Sequence, residues 1–135
     1  VRDLACARLL PVRQSIGQFL SKYPAASLSA GLRSITLEHG PDLAAEARIL
    51  LGWADDRMRA SGAAGGHTKE ARVGGAPGSF ALGFAYDGAK SFSWKADLAT
   101  GRAAFDADFG SGRTAMPAIV SLLSPENALS EAMFF

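Results

Sequence analysis

Between Phe80 and Phe109 the chain alternates. Phe80, Leu82, Phe84 and Tyr86 take every second position of one run, Phe92, Trp94, Ala96 and Leu98 of the next, and Ala103, Phe105, Ala107 and Phe109 of a third. The residues between them are small or polar, Lys95, Asp97, Asp106 and Asp108 among them. A period of two is the spacing at which side chains of a strand share a face. The pattern therefore predicts a three-stranded antiparallel meander over about 79–110, with one aromatic and one polar face. Turn length sets its register. A two-residue turn at Thr100-Gly101 puts Trp94 opposite Ala107, Phe92 opposite Phe109, and Lys95 opposite Asp106 as a cross-strand ion pair. An odd loop, Gly88-Ala89-Lys90, keeps Tyr86 opposite Phe92 and Phe84 opposite Trp94.

Upstream the period is helical. Val12, Ile16, Phe19, Leu20 and Tyr23 form one stripe between Pro11 and Pro24. Leu43, Ala47, Leu50, Leu51, Ala54 and Met58 form a second, which opens at Gly40-Pro41-Asp42 and stops by Gly62. Residues 25–38 fit both periods, Leu28, Leu32 and Ile35 favouring a helix and the Ser34–Glu38 stretch a strand, and the helix is preferred. Residues 61–79, rich in Gly and small side chains, predict a flexible tether inside a single domain of residues 1–135. Downstream, Thr114 fits the cap of a helix over 115–123, and Ser124-Pro125 the start of another. The expected class is α+β: N-terminal helices, the meander, and C-terminal helices packed on the sheet.

Composition narrows the function. Fourteen basic against 13 acidic residues leave a formal charge of +1, without the basic surplus of a nucleic-acid binder. Binding to a polyanion would need Arg2, Arg8, Arg13 and Lys22 on one face. No apolar run reaches the roughly 18–20 residues of a membrane-spanning helix, and no signal-peptide pattern is read at the N-terminus. The single cysteine, Cys6, excludes an intramolecular disulfide and suits a cytoplasmic location. The abundance of Ala, Gly and Arg suits a bacterial source.

Candidate chemistry is sparse. His39 and His67 are the only histidines, and neither a nucleophile elbow nor a zinc-binding histidine pair occurs. The Gly62–Lys69 stretch lacks the Gly-Lys-Ser/Thr order of a phosphate-binding loop, so His67 reads as part of the tether. Asp55 and Asp56 are adjacent on a helix and diverge, which makes them a poor chelate. No cofactor, metal site or catalytic residue is assigned.

The resulting expectation is a non-enzymatic protein–protein interaction or assembly module that forms oligomers with itself or binds a protein partner, with Met133, Phe134 and Phe135 in the contact. The alternative is a small-molecule-binding protein or enzyme. Its Gly110-Ser111-Gly112-Arg113-Thr114 loop, at a helix N-terminus, would hold a phosphate or carboxylate, with Trp94 or Tyr86 as a stacking wall.

Overall fold

The computed structural model describes residues 7–63 and 65–122. Helix α1 (Leu10–Leu20) and the short α2 (Ala25–Ser29) lead into strand β1 (Leu32–His39). A 3-10 turn, Pro41–Leu43, opens α3 (Ala44–Ala60), and five strands follow: β2 (Thr68–Val73), β3 (Ser79–Tyr86), β4 (Ser91–Asp97), β5 (Arg102–Asp108) and β6 (Arg113–Ile119). They form one six-stranded sheet in the order β2-β1-β3-β4-β5-β6. All neighbours are antiparallel except β1 and β2, which run parallel and are joined through α3.

The sheet is twice the expected meander, and three assignments change. Residues 32–39 are a strand, because Ile35, Leu37 and His39 point into the core at alternate positions, and Arg33, Thr36 and Glu38 do not. Six residues of the expected tether are β2, whose backbone pairs with β1 from Ser34–Thr68 to His39–Val73. Thr114 caps no helix. It lies in β6, where Ala118, Met116 and Thr114 pair with Ala103, Phe105 and Ala107 on the core side of β5. Over 115–119 the expected C-terminal helix of 115–123 is thus replaced by an edge strand. The second expected helix, from Ser124, falls outside the described residues, as do Cys6 and Met133–Phe135.

The faces of the meander are as the alternation predicts, whereas its register is displaced by two residues. Asp97 pairs with Arg102 and Trp94 with Phe105, so residues 98–101 form the turn and Lys95 lies opposite Ala104 rather than Asp106. Between β3 and β4 the last pair is Ala85–Ser91, separated by residues 86–90, with Phe84 opposite Phe92 and Leu82 opposite Trp94. A slip of two leaves every side chain on its own face. The longer turns have local causes. Ala99 donates its N–H to Asp97 Oδ1 at 2.9 Å, and Gly88 and Gly101 take the left-handed φ values of 80° and 71° that other residues avoid.

The described helices cover one face only. Phe19 of α1 stacks on Phe105 with ring centroids 4.3 Å apart and planes 4° from parallel, and it tilts against Phe92 at 6.0 Å, so α1 crosses β4 and β5. Helix α3 lies on β1 and β2. Buried apolar side chains form one cluster between the helices and the sheet, with Trp94, Phe80, Phe105, Ile16 and Met58 almost fully enclosed. Each such side chain contributes roughly 1.5–3 kcal/mol by leaving water. Trp94 Nε1 is buried without an acceptor among the described residues. Such a dry donor costs about 1–3 kcal/mol, which the area of the indole offsets. His39 ends β1, 5% exposed, and its Nδ1 lies 2.8 Å from Gly40 O.

Candidate functional site

The Gly110–Thr114 loop joins β5 to β6, so it opens a strand instead of a helix. Gly110 and Gly112 have φ values of 102° and 113°, which let the chain reverse, and Asp108 Oδ1 accepts the Gly110 N–H at 2.9 Å. The Arg113 guanidinium forks onto Asp106, its Nε donating to Oδ1 at 2.9 Å and its Nη2 to Oδ2. This bond holds the Asp106 carboxyl below, and the Arg113 guanidinium above, their ordinary values. Ser111 and Thr114 are exposed. Tyr86 and Trp94 lie on the helix-covered face: Tyr86 donates its hydroxyl to Leu28 O at 2.7 Å, and Trp94 stacks near Phe80. Burial pushes the Tyr86 phenol far above its usual range. The two aromatic rings therefore belong to the core side of the sheet, and the loop stands outside it.

The opposite face of the sheet has a different character. Alternation places Thr36 of β1, Ala81, Gly83 and Ala85 of β3, Ser93 and Lys95 of β4, and Ala104 of β5 there, half-buried or exposed. No described helix crosses it. Lys95 borders three adjoining shallow depressions of about 310, 240 and 200 Å³, and Gly83 and Ala81 help to line the smallest of them. The charges on this face almost balance. Glu38, Glu70, Asp97, Asp106 and Asp108 stand against Arg72, Lys95, Arg102 and Arg113, with Arg72 bonded to Glu38 at 3.0 Å.

Both sheet edges are defended. The Val120 N–H points into the sheet, donating to Gly101 O at 2.9 Å, so strand alternation turns the backbone nitrogen of Pro117 towards the open edge, where proline offers no donor. At the other edge, β2 presents Lys69, Glu70 and Arg72. Both devices discourage strand addition.

A third arrangement escapes the sequence reading. Asp55 of α3 is 3% exposed. Its Oδ1 lies 2.5 Å from His67 Nε2, and its Oδ2 accepts from Arg59 Nε at 3.1 Å and Lys69 Nζ at 3.2 Å. Burial alone would raise this carboxyl. The hydrogen bonds from His67, Arg59 and Lys69, with the Lys69 charge, outweigh it and bring the pKa down to about 2. The carboxylate thus ties the end of α3 to the following loop and to β2. Asp56, its neighbour, is exposed, so the pair diverges as adjacent helical residues must. The signal was present in α3: Leu51, Asp55 and Met58 share the i, i+4, i+7 stripe, which puts Asp55 among core positions.

The His67 side chain is 2% exposed and borders a cleft of about 430 Å³ between α2, the start of β1 and the 62–66 loop. Among the described residues no cluster of three or more His, Cys, Asp or Glu is placed to hold a metal ion, and no helix is long and apolar enough to cross a membrane. Comparison with protein-family models and with curated proteins finds no match.

Proposed function

We propose that this protein is a non-enzymatic interaction module that assembles with a second copy of itself through the uncovered face of its sheet. Gly83 carries the reading. It sits in the middle of β3, a central strand, where glycine weakens pairing and packing. Its φ is not in the left-handed region, and a Cβ added to it would meet only Phe92 O at an ordinary 3.8 Å. The fold of one chain therefore does not require glycine there. A surface approaching closely from outside does, and Ala81, Ala85, Thr36 and Ser93 keep the ground around it equally low.

Area and charge favour a second copy as the occupant. Six strands spaced about 4.8 Å apart and about seven residues long present roughly 600 Å². Two such faces bury roughly 1,200 Å², the lower bound of a stable interface. A face with nearly balanced charges meets its own copy without net repulsion, and Lys95, central and without an ion-pair partner among the described residues, can take an acidic side chain of the other copy.

Light scattering tests the proposal. The wild-type chain is expected at twice the 14.0 kDa of one copy. Gly83→Arg is expected at the single-chain mass with an unchanged circular dichroism spectrum. A single-chain mass for the wild type, or a doubled mass that survives Gly83→Arg, overturns it. Loss of the dimer on removing Met133–Phe135 alone would move the contact to the C-terminus.

A further inference from the structure

The uncovered face is laid out symmetrically about β3. Glu38 of β1, Ala81 of β3 and Lys95 of β4 lie on one line across the strands. Thr36, Gly83 and Ser93 lie on the next line, and Ser34, Ala85 and Ser91 on the third. Alternation puts all of them on the side away from the core. The residues flanking β3 therefore answer one another: an acid faces a base, and a hydroxyl faces a hydroxyl on each of the other lines. The middle column holds Ala81, Gly83 and Ala85.

Two copies meeting face to face as an isologous pair are related by a two-fold axis that lies between the sheets. An axis along β3 carries β4 of one copy over β1 of the other, line for line. Lys95 then meets Glu38, Ser93 meets Thr36, Ser91 meets Ser34, and Gly83 meets Gly83 where the backbones come closest. An axis across the strands at Gly83 instead sets Lys95 over Ser91 and Glu38 over Ser34, and leaves both charges unpaired. Aligned sheets cross at about 30°. Strands β1 and β4 each lie about 4.8 Å from β3, so the offset this angle introduces is within reach of a lysine stem.

Both charges are available. Lys95 is exposed and has no ion-pair partner among the described residues. Arg72 bonds to Oε1 of Glu38, from Nε at 3.1 Å and Nη2 at 3.0 Å, which leaves Oε2 for a second cation. At the rim the same axis brings Asp106 over Glu70, where Arg113 already offsets the charge of Asp106.

Resting on the self-assembly proposed above, we infer that the two copies pack about a two-fold axis along β3, with their β3 strands parallel. Lys95 of each copy pairs with Glu38 of the other, and these two ion pairs fix the register and select the partner.

Native mass spectrometry of charge-exchanged chains tests this. Lys95→Glu sets two carboxylates face to face at both contacts of its own dimer, and Glu38→Lys sets two ammonium groups there. Each variant alone should keep the wild-type circular dichroism spectrum and run at the single-chain mass, its dimer weakened roughly a hundredfold by like charges. Mixed in equal amounts, the two should recover the doubled mass as a one-to-one pair, because each contact then joins an acid to a base. A chain carrying both substitutions should dimerise with itself for the same reason. A mixture or a doubly substituted chain that stays at the single-chain mass, or a single variant that keeps the doubled mass, overturns this arrangement while the wild-type dimer stands. A single-chain mass for the wild type overturns the arrangement and the assembly together.

Discussion

Asp55→Asn keeps the shape of the side chain and an oxygen for His67, and removes the charge that Arg59 and Lys69 surround. The carboxyl titrates at about 2 in the folded chain against a reference value of 3.8. A group with a depressed folded pKa stabilises the fold fully above its unfolded pKa and progressively less as pH falls through the folded one. The window here runs from about pH 5 down to about pH 2. A difference of nearly two pKa units corresponds to about 2 kcal/mol at pH 7, of which about half remains at pH 3. Asp55 is almost fully buried, so solvent screening takes little away. Urea unfolding at a series of pH values measures this directly. Asp55→Asn should be about 2 kcal/mol less stable than wild type at pH 7, and the two curves should converge below pH 3. Other carboxylates, Asp106 included, titrate alike in both proteins and cancel in the difference. A difference that stays constant from pH 7 to pH 2 would show that Asp55 acts through shape alone and would refute the electrostatic account.

Two further substitutions probe how the helices and loops are fixed to the sheet. Tyr86→Phe leaves Leu28 O without the hydroxyl that donates to it at 2.7 Å, and should lower stability by about 1–2 kcal/mol in the same urea assay. Gly40→Ala places a Cβ 2.5 Å from Ala76 O and 2.9 Å from Pro77 Cα. Backbone atoms cannot yield as a side chain tip does, so the melting temperature should fall, with a cost of roughly 1–3 kcal/mol.

Where the sequence was legible, local repetition made it so. Trp94 and Lys95 face opposite ways, and the stripes of α1 and α3 are buried at the positions their spacing named, except for Tyr23, which is half-buried beyond the end of α1. Register was not legible, because alternation is unchanged by a slip of two residues, and the turn lengths depend on Asp97, Gly88 and Gly101 acting together. Strand β2 gives no periodic signal, since five of its six residues are exposed. It is a strand because β1 lies beside it, after a crossover through α3. Strand β6 was obscured by Thr114, which suits a helix cap as well as an edge strand. The balance between those two is struck by its hydrogen bonds to β5.

The candidate sites follow the same division. Gly83 takes one of the small positions of the β3 alternation, but its meaning depends on the sheet face that no described helix crosses. Asp55 sat visibly on an apolar stripe, yet its partner His67 is twelve residues on, beyond a glycine-rich loop. The sequence alone determined which side of β3, β4, β5, α1 and α3 is apolar, because that follows from neighbours two, three and four positions away. Tertiary structure alone decided the number and order of the described strands, which sheet face the described helices cover, and the meeting of Asp55 with His67. These depend on contacts between residues far apart in the chain, and each segment's own pattern is compatible with more than one set of partners.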